Sequence, residues 1–349
     1  MTDAPIGVGL VGYGMSSSSL HAPLIAAEPR LRLRSVVTRD AEQVHRDLQA
    51  VPVVGSIGEL LDDPGVELVV VAAPNAVHAE LARVALGAGR HVVVEKPFTV
   101  TSAEADDLIE LARHRDRCLS VFHQRRWDGD YLTVARCVRE GVLGRISTCI
   151  ARYDRFNPEP GTRWTEEARP GSGVLYDLGS HLIDQALHLF GCPETVLADL
   201  RAQRPGAVVD DYFHIVLGYG QLRVVLHAGT LVHAPGPRFE VHGDAGSLVT
   251  HGVDTQIAAL LAGRRPGDPG WGVIDEDLLP TLTTEAGGLP LTGRLTTVPG
   301  AYETFYRGMA AAIRGEGPVP VPPEEARDAV RVIECALRSG RDGRIVAFS

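Results

Sequence analysis

Along the first third of the chain, short apolar runs alternate with segments whose apolar residues recur at helical spacing. Residues 5–11 form the first run, 31–37 the second, 67–73 a valine-rich third, 91–95 the fourth and 118–122 the fifth. Runs of this length suit strands, and unbroken apolar character suits parallel strands covered on both faces. Between them, Leu20, Leu24 and Ile25, the stretch 77–86, and the stretch through Leu111 and Ala112 carry a helical pattern. Thr101 and Glu104 have the spacing of a capping box for the last of these. The pattern predicts an α/β domain with a doubly wound parallel sheet over residues 1–122.

Beyond His123 the rhythm changes. After a crossing segment at 124–128 and a helix over about 131–140, strand-like runs follow at 146–153, 196–202, 211–219, 222–231, 238–241 and 247–250. Runs joined by short turns predict a largely antiparallel sheet, so residues 123–349 read as a second, α+β domain. The proline- and glycine-rich stretch 157–173, which holds Arg163 and Trp164, reads as a loop leaning over a site. Residues 263–300 give no internal assignment. Helices near 302–313 and 323–338 and a short strand at 345–348 end the chain.

Composition narrows the partners. The 349 residues carry a formal charge of -10 with no basic run, which argues against a nucleic-acid surface and favours a small molecule. Five cysteines at 118, 137, 149, 192 and 335 form no CxxC pair and read as reduced core thiols. An acid stands near the amino terminus where a signal peptide needs a base, and no apolar run approaches a membrane span. A cytoplasmic protein is expected.

One residue stands out against this composition. Lys96 is the only lysine in the chain, every other cation being arginine. An ammonium is a compact charge that can donate to a reacting oxygen, whereas guanidinium stays protonated and prefers planar partners. Pro97, next in sequence, cannot extend a sheet ladder and restricts the Lys96 backbone, so the fourth run must stop there. This reads as a site at a strand's carboxyl end, against the plainer reading of a strand-end lysine reaching water.

Strand, glycine turn and helix at Gly12, Tyr13, Gly14, Met15, Ser16 and Ser17 fit a dinucleotide-binding turn, or simply a tight loop. Ser17 replaces the usual third glycine; it is small enough for close helix packing, and its hydroxyl could meet a phosphate. At the end of the second strand, Thr38 and Arg39 stand where an acid would grip the ribose, which favours a 2'-phosphate and hence NADP. Asp40 keeps NAD open: it is either a helix N-cap or a ribose ligand. Asn75, His78 and Lys96 all fall at or just beyond strand ends, where doubly wound sheets bind ligands. In the second half, Asp177, His181, Asp184 and His188 follow at steps of four, three and four, one helical face. Such a stripe is either solvated or an acid–base site, since histidine beside aspartate suits proton transfer at neutral pH. Metal binding ranks low.

Gly12-Tyr13-Gly14, Pro74-Asn75 with His78, Glu95-Lys96-Pro97, and Gly173 with Asp177 and His181 together resemble the Gfo/Idh/MocA oxidoreductases over essentially the whole chain. His21-Ala22-Pro23, Arg125–Asp128, Tyr176–His181 and the 266–272 stretch are similar to a narrower group that includes NADP-dependent scyllo-inositol dehydrogenases. The resemblance implies a Rossmann domain followed by a domain on an open, mainly antiparallel sheet. It implies NAD(P)-dependent hydride transfer at a secondary alcohol of a sugar, keto-sugar or cyclitol, with Lys96, Asp177 and His181 as catalytic set. Pro74, Asn75, His78, Glu95, Lys96 and Pro97 would line the nicotinamide end, with the peptide before Pro97 cis. Gln124 stands where relatives commonly have asparagine, and Arg163 and Trp164 would face the substrate. It further implies a homodimer or homotetramer joined through the sheet. A non-catalytic NADP-binding sensor, or a reductase of a biosynthetic keto-sugar or non-sugar carbonyl, is the other reading.

Overall fold

The computed structural model describes residues 4–348. It divides into two compact units. The first comprises the chain up to Gln124 together with Gln256–Trp271 and Ala301–Arg327; the second comprises Arg125–Thr255, Gly272–Gly300 and the chain from Asp328 onward.

The first unit is built on a parallel sheet of β1 (Ile6–Val11), β2 (Leu31–Val37), β3 (Val53–Val54), β4 (Leu68–Val71), β5 (His91–Glu95) and β6 (Leu119–Phe122). Their order is β3-β2-β1-β4-β5-β6. Every pairing is parallel. The order reverses between β1 and β4, the kind of switch point at which doubly wound sheets bind ligands beyond the strands' carboxyl ends. All residues of β1, β4 and β6 are buried, as the unbroken apolar runs require. The helices are α1 (Ala22–Ala26), α2 (Ala41–Leu48), α3 (Ile57–Leu61), α4 (His78–Gly87) and α5 (Ser102–Arg115). The Thr101–Glu104 capping box of α5 is present with both of its hydrogen bonds. Three short elements, α2, β3 and α3, lie between β2 and β4, each too short for a period to announce it.

The second unit is built on a nine-stranded sheet. Its strands are β7 (Ile146–Arg152), β8 (Thr195–Arg201), β9 (Tyr212–Tyr219), β10 (Leu222–Gly229), β11 (Phe239–Gly243), β12 (Gly246–Thr250), β13 (Thr281–Ala286), β14 (Leu289–Arg294) and β15 (Val346–Ala347). The order is β14-β13-β12-β11-β7-β10-β9-β8-β15. All neighbours are antiparallel except β7 and β10, which run parallel. Phe213, Ile215 and Leu217 of β9 and Val224 and Leu226 of β10 point to one face. They pack in one core with Tyr131 of α6 (Gly129–Arg139), Leu182 and Ile183 of α7 (Ser180–Phe190), and Val332 and Ile333. The region the sequence left unassigned contains the β13–β14 hairpin, which turns at Gly287-Gly288.

Candidate active site

The glycine turn follows β1 directly. Gly12 has φ +94, and a Cβ there would come within 2.4 Å of the Ala72 carbonyl, so only glycine fits the bend. A Cβ on Gly14 would meet nothing within 4 Å, which leaves open space over the main chain at the point where a pyrophosphate approaches. The chain then winds into a wide π turn, Ser17–His21, before α1. Ser17 is fully buried and donates its hydroxyl to the Gly12 carbonyl at 2.8 Å. It therefore locks the turn, and its hydroxyl is not presented to a phosphate. Met15 is exposed, and Tyr13 is buried with its phenol on Asp47 of α2 at 3.2 Å. Burial first, then Asp47, keeps that phenol protonated.

At the end of β2, Asp40 spends a carboxylate oxygen on the Gln43 amide as N-cap of α2, and Thr38 accepts from the Asp40 amide at 3.1 Å. Arg39 is exposed beside them. The N-cap reading of Asp40 is thus the one realised.

After β4, Pro74 leads into a 3-10 turn with Asn75 buried. His78 is fully buried, with Nδ1 2.9 Å from the Pro97 carbonyl and Nε2 2.8 Å from the Ala73 carbonyl. Burial depresses its basicity despite these carbonyls and the charge of Glu95. It braces the turn after β4 against the turn after β5 and presents no surface of its own. The Lys96–Pro97 peptide is cis. Glu95 is the hub here: one oxygen accepts from the Lys96 amide at 2.7 Å, the other from Ser16 Oγ and from His21 Nε2. Burial alone would raise the Glu95 carboxyl, but His21, Lys96 and Ser16 outweigh it and hold it at about 2. Gln124 is buried just past β6, and its carbonyl oxygen has no partner within the protein. An orphaned acceptor beyond the strand ends fits the amide of a bound nicotinamide. The open face of Gly14, the Asp40 cap that leaves Arg39 exposed and this orphan together fit a dinucleotide.

In the second unit, Asp177 lies in a second π turn, Leu175–Gly179, which runs into α7 carrying His181. The widened turn means that Asp177 and His181 are not an ordinary α-helical i,i+4 pair. His181 is buried and Asp177 half-buried. Asp184, from the same sequence stripe, is buried on Arg126 through two hydrogen bonds of 2.9 and 2.6 Å, a structural pair. His188 Nδ1 is 2.6 Å from the Tyr131 hydroxyl. The stripe is therefore divided between site and scaffold and is not one solvated face.

Asp177 opens on a pocket that Arg155, Arg163, Arg204, Asp210 and Thr230 also line. Trp164 sits in a short 3-10 turn of the same loop and accepts from the Ser172 hydroxyl at 3.1 Å. Gly173 and two residues unremarked in the sequence, Asp210 and Arg204, organise this pocket. Asp210 accepts from the Leu175 amide at 2.7 Å and so caps the helical segment bearing Asp177. Gly173, at φ +95, is required because a Cβ would lie 2.1 Å from Asp210. Burial pushes the Asp210 carboxyl up to about 6. Arg204, nearly inaccessible, donates to Asp211, to Glu166 and to the carbonyls of Asn157 and Glu159, and so pins the Arg163 loop to the approach of β9. The signal that could have found Asp210 is the acid pair Asp210-Asp211 directly before a strand. Among the described residues, no group of three or more His, Cys, Asp or Glu is arranged to hold a metal, and no helix is long and apolar enough to cross a membrane.

Two family models match. Residues 6–123 match the NAD-binding Rossmann fold of an oxidoreductase family, and residues 135–348 match that family's C-terminal alpha/beta domain. The chain belongs to the Gfo/Idh/MocA family of oxidoreductases. It is 41% identical to the scyllo-inositol 2-dehydrogenase (NADP(+)) IolW of Bacillus subtilis (strain 168), over 98% of this chain and 95% of that one. It is 44% identical to the uncharacterized oxidoreductase YdgJ of Escherichia coli (strain K12), over 96% of each. The solved structure of yvaA from Bacillus subtilis superposes with a TM-score of 0.97 at 40% identity, covering 100% of both chains. As a Gfo/Idh/MocA member the chain is an oxidoreductase with a nicotinamide-dinucleotide domain, and the first unit's glycine turn and strand order are that domain's working parts.

Proposed function

We propose that the protein is an NADP-dependent dehydrogenase that interconverts a secondary alcohol and a ketone on a cyclitol or sugar. The observation that carries this reading is the full-length likeness to a scyllo-inositol 2-dehydrogenase that uses NADP(+). The cofactor preference is supported independently by the second strand's end, where Asp40 is engaged as a cap and Arg39 is left for a 2'-phosphate.

When bound, the nicotinamide would supply the hydride acceptor at C4. Gly12, Tyr13, Gly14, Met15 and Ser16 would hold the pyrophosphate turn, Thr38 and Arg39 the ribose phosphate, and Pro74, Asn75, Glu95, Pro97 and Gln124 the nicotinamide end. In oxidation, the substrate's C–H bond gives up its hydride while the O–H proton passes to His181; in reduction both return. Lys96 donates to the same oxygen and offsets alkoxide charge, and Asp177 orients the imidazole. Arg163 and Trp164 would contact the polyol from their loop. Lysine suits this task because its ammonium can approach one oxygen closely, which a planar guanidinium does less well. We further propose a cytoplasmic homodimer or homotetramer joined through the nine-stranded sheet.

The test is absorbance of reduced nicotinamide with purified protein against a panel of inositols, aldoses and keto-sugars, NADP and NAD in parallel. Turnover with a cyclitol and NADP is the expected result. Tight NADPH binding without turnover on any member of the panel would sink the dehydrogenase reading in favour of a sensor.

A further inference from the structure

A buried polar chain behind Lys96 has no place in the mechanism above. His21 is completely inaccessible, its ring lying on Phe122 with centroids 4.3 Å apart. Its Nδ1 is 2.6 Å from the hydroxyl of Tyr306, itself fully buried in the helix Glu303–Ile313, and its Nε2 is 3.2 Å from Glu95 Oε1. An ionised carboxylate only accepts, so Nε2 carries a hydrogen. With that tautomer, a neutral imidazole takes the Tyr306 O–H at Nδ1, and all three groups are satisfied in one direction: Tyr306 to His21 to Glu95. Ser16, in the glycine turn, donates to the same carboxylate oxygen, and the Lys96 amide donates to the other. One buried carboxylate thereby joins the cofactor turn after β1 to the lysine after β5.

We propose that His21, with Tyr306 behind it, is a positioning residue for Lys96: it fixes the Glu95 carboxylate, which holds the Lys96 main chain and the Ser16 hydroxyl together. The proposal rests on the hydride-transfer reading for the consequence at turnover, not for the link itself. A bulky apolar residue would fill the aromatic pocket around His21 equally well. A histidine with both nitrogens engaged there serves the carboxylate, because an inaccessible carboxylate deprived of a donor is costly and moves or takes a proton. The titratable and charged groups facing Glu95 are His21, His78, Lys96 and Tyr306. Of these, His21 donates a side-chain hydrogen bond to the carboxylate. Taking that donor away lets burial raise the Glu95 carboxyl, so protonation reaches it at higher pH and loosens both tethers.

The experiment uses the full chain and exploits its single lysine. Reductive ¹³C-methylation yields one side-chain dimethyl signal, from Lys96, beside that of the amino terminus. This signal is compared in wild type, His21→Leu, His21→Gln and Tyr306→Phe, with thermal unfolding followed in parallel. His21→Leu should move the Lys96 signal, cut kcat about tenfold with substrate KM changed less than about twofold, and raise the acid limb of kcat by about one pH unit. His21→Gln, which keeps a donor near the Nε2 position, should recover most of each effect. Tyr306→Phe loses one hydroxyl without losing the ring, stays folded, and should shift all three readouts in the same direction by less. An unmoved Lys96 signal and an unmoved acid limb in His21→Leu overturn the proposal, even if the variant melts earlier. If the wild type turns over no polyol, the dehydrogenase reading falls, and the Lys96 signal still decides whether His21 acts on Lys96.

Discussion

The charge at residue 96 and the charge at residue 39 make separable predictions. Lys96→Arg keeps a cation but replaces a compact donor with a planar fork, so NADPH binding should persist while kcat falls by about 100-fold or more. Fluorescence titration of NADPH beside steady-state rates checks both halves. Near-normal turnover would remove Lys96 from the chemistry. Arg39→Ala should raise the Kd of NADPH roughly tenfold and leave NADH within about twofold, because only NADPH brings a phosphate to that guanidinium. Equal losses for both cofactors would defeat the phosphate assignment. A third residue speaks through stability. The Asp210 carboxyl is raised to about 6 in the folded protein, so the folded state binds its proton more tightly than the unfolded chain. Its contribution is full below the unfolded value of 3.8 and is lost as pH rises through about 6. Asp210→Asn keeps an acceptor for the Leu175 amide and removes the ionisation, so it should flatten the stability profile between those limits, by up to ~3 kcal/mol. Urea melts at pH 4 and pH 7 measure this. A variant that loses stability between them as steeply as wild type would contradict it.

At the scale of elements, the parts legible in the sequence are those that bury an apolar period. The boundaries of β2 and β5 agree with the runs at 31–37 and 91–95, and the capping box stands where Thr101 and Glu104 put it. The β13–β14 hairpin is a different case: β14 is exposed throughout, so its leucines at 289 and 291 meet no core and its pattern is too short to stand out. Its only clue was Gly287-Gly288 between two short runs, a dipeptide suited to tight hairpin turns. The site divides in the same way. Lys96 announced itself by being solitary, whereas Arg204, one arginine among many, gave no sign that it pins a loop. With its side chain almost wholly enclosed against Asp211, its removal leaves a buried carboxylate held by two main-chain amides without its cation. Arg204→Ala should cost about 3–5 kcal/mol and raise substrate KM more than cofactor Kd, because the loop it holds carries Arg163 and Trp164. Denaturant melts and separate KM and Kd titrations read the two effects, and a cofactor Kd that rose as much as KM would show that the loop is not specific to the substrate.

For the whole molecule, the two family models place a dinucleotide domain and the family's C-terminal domain in one chain. Light scattering of the purified chain should give a mass of two or four times 37.4 kDa, and a monomer at micromolar concentration would contradict assembly through the sheet. Hydride transfer from a ring carbon to nicotinamide is followed with a cyclitol deuterated at its carbinol carbons. After a single turnover with NADP, mass spectrometry should find one deuterium on the reduced cofactor and a ketone on the ring. Bound NADP that remains oxidised and unlabelled, with every deuterated cyclitol recovered intact, would exclude hydride transfer from a cyclitol carbon.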